Sequence, residues 1–238
     1  MIEDGPDLSV SAERLARTGR TRVQDVLGPG FGDALHAALA SPAMVWNRAV
    51  RNPYNSDVPV AVFEAQPAEE KARLIGMVHE EAAEGFQFLF DRLKLGQALA
   101  QGLPLPPPLD GLHALFNQAP WLDFARRLTG DDHIAYVDAQ ATRYLPGHFL
   151  NGHDDAHEDA GRLYAYVLNL SPRWRAEWGG LLTFVDGEGG VIETLVPAFG
   201  TLNVFRVPQP HLVSMVAPFA AEPRLSITGW WRTNPPPA

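Results

Sequence analysis

The spacing of apolar positions changes character about halfway along the chain. Up to Gly130 the clearest pattern is helical. "PGFGDALHAALASP" (29–42) predicts a helix bounded by Gly and Pro. "PAEEKARLIGMVHEEAAEGFQFLFDRL" (67–93) predicts a longer one, with Pro67 at its first turn and acidic early residues that suit the dipole. "LPLPPPL" (103–109) reads as a polyproline connector, and "LDGLHALFNQAPWLDFARRLTG" as a helix re-started at Pro120. Between these, "GRTRVQDVL" (19–27) predicts a short strand, and "MVWNRAVR" and "VPVAVFEA" alternate as half-buried strands do.

After Gly130 the runs shorten and fill with Val, Ile, Thr and aromatics: "HIAYVDAQATRYL", "RLYAYVLNLS", "GGLLTFVD", "TLVPAFGTLNVFRV", "HLVSMVAPF" and "RLSITGWWR", parted by Gly and Pro. Many short strands at close spacing predict a sandwich or barrel with helices bracing one face. The fold class expected is mainly β with bracing helices. It is a double-stranded β-helix (jelly-roll) core over 131–238, with a helical and strand support layer over 1–130. No internal repeat and no convincing boundary appears, so 1–238 is read as one domain.

Composition narrows the chemistry. The chain has 238 residues, 46% hydrophobic and 20% charged, as ordinary globular proteins do. The lack of cysteine removes disulfides, thiolate metal sites and cysteine nucleophiles, and fits a reducing cytoplasm. A net charge of −9 argues against nucleic acid as the ligand. The start "MIEDGPDLSVSAERL" has no long apolar run, so neither signal peptide nor membrane anchor is expected.

Against that background, "FLNGHDDAHEDAGR" (149–162) concentrates two histidines and four carboxylates. Alone it reads as a solvated acidic turn. His153 and Asp155, two apart on an extended segment, would point the same way and could share a divalent metal. His211, opening a later predicted strand, is the candidate third ligand. Two histidines and a carboxylate form a facial triad that leaves part of an iron(II) ion open. Beyond it, Arg224 and Ser226 would share one strand face. A guanidinium inside a barrel is costly unless an anion meets it, and its fork suits a carboxylate. A dicarboxylate chelating the metal at one end and reaching Arg224 at the other would explain both features; that dicarboxylate is 2-oxoglutarate.

The ordered set Tyr144-x-Pro146-Gly147, HxD, Trp-Gly-Gly, Pro-His, Arg-x-Ser and Gly-Trp resembles the catalytic core of iron(II)/2-oxoglutarate dioxygenases of the prolyl 4-hydroxylase type, over roughly residues 135 to 232. It is most similar to the branch holding the EGL-nine and ribosomal-protein prolyl hydroxylases. The resemblance implies His153, Asp155 and His211 as iron ligands and Arg224 on the distal carboxylate of 2-oxoglutarate, with O2 as co-substrate and ascorbate as reductant. It places Tyr144 against the cosubstrate and Trp230 on the substrate side. Asn169 stands where relatives often carry a tyrosine that reaches the same carboxylate, so Ser226 or Thr201 could supply a second contact. The activity implied is hydroxylation of an unactivated C–H, with succinate and CO2 released. Asp155 itself argues for hydroxylation, since related halogenases carry a small residue there. The substrate implied is a prolyl residue of a protein or peptide; a free amino acid or small metabolite is the alternative.

Other readings stay open beside this one. His157-Glu158-Asp159 is a second HxD, although the spacing from Tyr144 favours His153. Trp174, Arg175 and Trp178 could form a rim that grips substrate or simply pack a loop against the barrel mouth. A jelly-roll module with a structural metal and no turnover would need no buried arginine at 224, and 2-oxoglutarate-dependent CO2 release would dismiss a zinc hydrolase. The oligomeric state has no signal in the sequence.

Overall fold

In a computed structural model describing residues 7–51, 54–156 and 161–235, thirteen strands join one antiparallel sheet. In chain order the N-terminal part supplies α1 (Ser9–Thr18), β1 (Arg20–Val23), α2 (Phe31–Ala40), β2 (Asn47–Arg51), β3 (Asn55–Pro59), α3 (Val60–Glu64), α4 (Ala68–Glu84), β4 (Phe88–Lys94), α5 (Leu95–Ala100), α6 (Leu109–Phe116) and α7 (Ala119–Thr129). Thereafter strands dominate: β5 (Tyr136–Val137), β6 (Gln140–Tyr144), β7 (Phe149–His153), β8 (Arg162–Asn169), β9 (Leu182–Val185), β10 (Val191–Leu195), β11 (Leu202–Arg206), β12 (His211–Val213) and β13 (Arg224–Arg232).

Two sequence expectations are corrected. The helix predicted over 67–93 stops at Glu84, and 88–94 is a strand. Gly85, extended at φ −174°, breaks the helical run, and the chain then pairs with β2, β6 and β7. Helical spacing and an apolar strand look alike in "FQFLFDRL", and sheet partners decide between them. The second is "VPVAVFEA", expected as a strand: its middle is the short helix α3, entered directly from β3. The helices at 29–42 and on either side of Pro120, and the strand within 19–27, form where expected.

The strand order β1-β11-β8-β13-β6-β4-β7-β12-β9-β10 mixes N- and C-terminal strands, so the support layer shares the sheet with the core. The largest apolar cluster lies between the helices and the sheet, with Leu35, Phe116, Phe124 and Trp231 almost wholly buried. The sheet curls so that its two limbs face each other. Ala165 and Val167 of β8 pack with Leu182 and Phe184 of β9, and Phe90 and Tyr144 with Val213. This is the jelly-roll arrangement, with a cavity between the limbs.

One buried ionic cluster ties the layers together. Asp91 on β4, fully buried, takes Arg48 Nε at 2.5 Å on one oxygen and Arg143 Nη2 at 2.7 Å on the other. Both guanidinium groups lie over rings, Arg48 on Phe63 and Arg143 on Trp46. The stacking and the shared carboxylate offset the desolvation of three charges.

Candidate active site

Three metal-type ligands from distant parts of the chain converge at one end of the cavity. β7 and β12 are hydrogen-bonded neighbours with His153 and His211 directly opposite in register, their ring centroids 4.1 Å apart. Asp155 meets both: its carboxylate lies 3.5 Å from His153 Nε2 and 3.7 Å from His211 Nε2. One ligand atom from each residue falls within 4.8 Å of the other two. The way Asp155 arrives differs from the sequence expectation. β7 ends at His153, and Asp155 sits beyond it in the left-handed region at φ 64°. A turn, not strand alternation, brings the carboxylate back toward the imidazoles. That backbone state costs about 1–3 kcal/mol for a non-glycine residue and is held where the surroundings enforce it. Here Arg162 Nη1 donates to the Asp155 carbonyl at 3.0 Å.

The two imidazoles are oriented by their far nitrogens. His153 Nδ1 contacts the Asn151 carbonyl at 2.9 Å, and His211 Nδ1 the Gln209 carbonyl at 2.8 Å. A carbonyl can only accept, so each Nδ1 carries a proton and each Nε2, the atom a metal would take, faces inward. Burial lowers the His153 imidazole, but the Asp155 carboxylate outweighs it and holds His153 above its usual range. Burial, with the neighbouring His153, pushes His211 down to about 4, so it is neutral near pH 7. Burial raises the Asp155 carboxyl, but a hydrogen bond from His153, charge from both histidines and the Trp230 indole outweigh it and hold Asp155 below its usual range. An ionised carboxylate beside a neutral imidazole is a donor set ready for a divalent cation.

Across the cavity stands Arg224, only 2% exposed. Its Nε is buried with no hydrogen-bond partner, and no carboxylate among the described residues pairs with it. Its guanidinium carbon lies 5.1 Å from the Tyr144 ring centroid. Burial lowers the guanidinium pKa, while Tyr144 acts the other way. Burial likewise pushes the Tyr144 phenol up to about 12, so it keeps its proton. A desolvated cation without an anion is expensive, and its position opposite the ligand trio marks where an anion would sit.

The Trp-Gly-Gly motif makes room for this arginine. Gly179 (φ 68°) lies so close to the Met215 carbonyl that a β-carbon would stand 2.0 Å from its oxygen. Gly180 (φ 62°) would place one 3.2 Å from Arg224 Cδ. Trp178, next to the pair, ends a 3-10 turn over 176–178 that Gly179 caps.

Not every predicted residue reaches the cavity. Tyr144 and Trp230 line it. Ser226 does not, but its hydroxyl bonds Thr142 Oγ1 at 2.7 Å, and Thr142 does. Asn169 pairs with Ser226 in the sheet, yet its amide nitrogen is spent on Thr201, at 3.0 Å to Oγ1, and neither Asn169 nor Thr201 lines the cavity. Asn169 thus acts within the fold as a brace for the turn before β11. Trp174 donates its indole N–H to the Gly179 carbonyl and stacks edge-on to Trp178, while Arg175 pairs with Glu177; none of the three lines the cavity. His157 and Asp159 of the rival HxD fall outside the described residues. Sequence reasoning missed Arg162, whose guanidinium lies 3.8 Å over the Trp230 ring. It also missed Thr228, although Arg224, Ser226, Thr228 and Trp230 share one strand parity that could have revealed it.

Comparison with known proteins agrees with this geometry. Residues 139–232 match the family model of the 2OG-Fe(II) oxygenase superfamily. The prolyl 3-hydroxylase OGFOD1 of Mus musculus is 31% identical over 127 residues, covering 49% of this chain and 22% of that protein. This chain therefore corresponds to under a quarter of the relative's length. Among solved structures, a Pseudomonas putida prolyl-4-hydroxylase aligns over 96% of this chain and all of its own, with 22% identity and a TM-score of 0.52. A Trichoplax adhaerens prolyl hydroxylase, solved with a hypoxia inducible factor peptide, aligns over 95% and 90% with 16% identity and a TM-score of 0.56. At such identities the two structures speak for the fold, and the jelly roll is theirs too. The family match falls on the strand-rich part of the chain, the part that carries His153, Asp155, His211 and Arg224.

Proposed function

We propose that the protein is an iron(II)- and 2-oxoglutarate-dependent hydroxylase acting on a prolyl residue of a protein or peptide. The observation that carries the cofactor chemistry is the buried, unpartnered Arg224 guanidinium facing His153, Asp155 and His211 in one cavity. His153 Nε2, His211 Nε2 and the Asp155 carboxylate would hold iron(II), and Arg224 would receive the far carboxylate of 2-oxoglutarate. The chemistry supplied by the bound group is oxidative decarboxylation of 2-oxoglutarate by O2, coupled to hydroxylation of a substrate C–H. The chain's own residues do the positioning. The two backbone carbonyls fix the imidazoles, Arg162 fixes the Asp155 turn, and Tyr144, buried and protonated, walls the anion's side. A bare structural metal site would have no use for Arg224.

Proline as the target is supported by the names of the relatives, a prolyl 3-hydroxylase in sequence and prolyl hydroxylases in fold. The deciding assay is 2-oxoglutarate turnover with iron(II), ascorbate and a panel of proline-containing peptides. We expect succinate release stimulated by at least one peptide, which gains the mass of one oxygen atom. Stimulation by free amino acids alone would replace the peptide reading, and no 2-oxoglutarate consumption at all would defeat the dioxygenase.

The glycine pair offers a check at a distance from the metal. Gly180→Ala forces a left-handed alanine, costing about 1–2 kcal/mol, and crowds Arg224 Cδ. The expected result is a lower urea midpoint together with weaker 2-oxoglutarate binding and unaltered Mn(II) binding. If stability falls and 2-oxoglutarate affinity does not, the glycine does not set the arginine's position.

A further inference from the structure

The cavity that holds the ligand trio and Arg224 is narrow, about 80 Å³. A metal ion and 2-oxoglutarate would leave little of it for a substrate. A second chamber of about 540 Å³ adjoins it, sharing Gln140, Gly229 and Trp230 as common wall. Gly229 lets the strands close here, since a β-carbon on it would lie 2.2 Å from the Asp138 carbonyl oxygen.

The chamber's charge is opposite to that of the protein. In a chain of net charge −9, its lining includes Lys94, Arg162 and Arg232 against a single carboxylate, Asp138. Arg162 and Arg232 are direct cross-strand partners on β8 and β13. Like charges placed opposite each other destabilise a sheet unless something lies between them. Asp138 takes Arg232 Nη1 at 2.7 Å, and Arg232 Nε donates to the Asn234 carbonyl at 3.1 Å. Arg232 is 3% exposed, and its second terminal nitrogen is buried without a partner. Arg162 Nε is unpartnered too. Lys94 is half-exposed at the rim, with Asp57 at 3.7 Å. A neutral carbonyl would satisfy a donor but would leave the excess charge uncompensated. An anion answers both, and the planar fork of arginine suits a carboxylate.

We propose that this chamber seats the substrate and selects one that carries a carboxylate, received by Arg232 with Arg162. This rests on the hydroxylase reading, which places the reacting C–H on the metal side of Trp230. The carboxylate could be the proline's own, as in a free imino acid or a chain terminus, or the side chain of an acidic neighbour in a peptide.

The test uses the full chain loaded with Mn(II) and saturating 2-oxoglutarate without oxygen, so that Arg224 is already occupied. Binding of four probes is read from Mn(II)-induced broadening of the proline ring protons. N-acetylproline is compared with N-acetylprolinamide, and acetyl-Pro-Glu-amide with acetyl-Pro-Gln-amide. At least one acid should bind about tenfold tighter than its amide, as a charge-assisted pair with arginine implies. The pair that shows the preference identifies the carboxylate's source. Arg232→Gln should bring that ratio to near one, and Arg232→Lys should keep part of it. Equal binding of acid and amide by the wild-type protein overturns the proposal, and does so even if Arg232→Gln fails to fold. A preference that survives in folded Arg232→Gln overturns it as well. The hydroxylase reading fails separately, by absence of 2-oxoglutarate binding to the Mn(II) protein before any probe is added.

Discussion

Replacing Asp155 with alanine is expected to abolish 2-oxoglutarate turnover and to weaken Mn(II) or iron(II) binding more than about 100-fold. The magnitude follows from metal sites in general, where loss of a residue that merely orients a ligand costs roughly 10–100-fold in affinity or activity. Asp155 is itself a candidate ligand, and no other described residue joins the cluster. Because Asp155 lies at φ 64°, alanine changes the turn as well as the ligand. Asp155→Gly separates the two effects: glycine adopts that φ freely, so the turn survives and only the carboxylate is lost. Both variants should lose metal, measured by calorimetry with Mn(II), while circular dichroism shows the fold retained. His153→Ala and His211→Ala should behave alike. Metal binding lost in His157→Ala and kept in His153→Ala would mean that the second HxD holds the ion.

The trio was legible in the sequence because its residue types are rare together and its partners follow in a fixed order. The geometry that unites it was not. Spacing two apart suggested a shared strand face, whereas β7 ends at His153 and a left-handed turn returns Asp155. A positive φ at an aspartate leaves no mark in a pattern of apolar positions. Arg162 was hidden for a related reason. It sits at the ragged start of β8, where the register with β13 shifts, so strand parity misreports its direction. β4 was lost because its apolar start "FLF" continues the spacing of the helix before it and its charged residues, the buried Asp91 among them, break strand alternation. Asn169 shows the opposite limit. Its parity places it beside Val167, but parity cannot say that Thr201 takes its amide first. Arg224 was singled out from cost alone, since an arginine among "LSITGWW" is expensive inside a barrel without an anion, and it is indeed buried and lines the cavity.

That cost yields the sharpest expectation. In the ligand-free protein Arg224 is a fully buried cation whose Nε has no partner and which no carboxylate among the described residues neutralises. Methionine has a similar reach and no charge, and replacing buried ionic groups by apolar ones is often neutral or stabilising by about 1–4 kcal/mol. Arg224→Met should therefore leave the ligand-free protein as stable as wild type or more so, in urea and in thermal melts. The same change should weaken 2-oxoglutarate binding by about 2–5 kcal/mol, the cost of removing one side of a desolvated charge pair, or roughly 30- to 5,000-fold in Kd. Mn(II) affinity, set by His153, Asp155 and His211, should stay close to wild type. The thermal shift that 2-oxoglutarate gives the Mn(II) wild-type protein should disappear. An arginine kept for the fold would give the reverse: Arg224→Met would melt earlier and bind 2-oxoglutarate as before. Stability gained while anion affinity is lost is a combination that only a ligand-receiving arginine produces, because the energy spent on burying it is recovered when the carboxylate arrives.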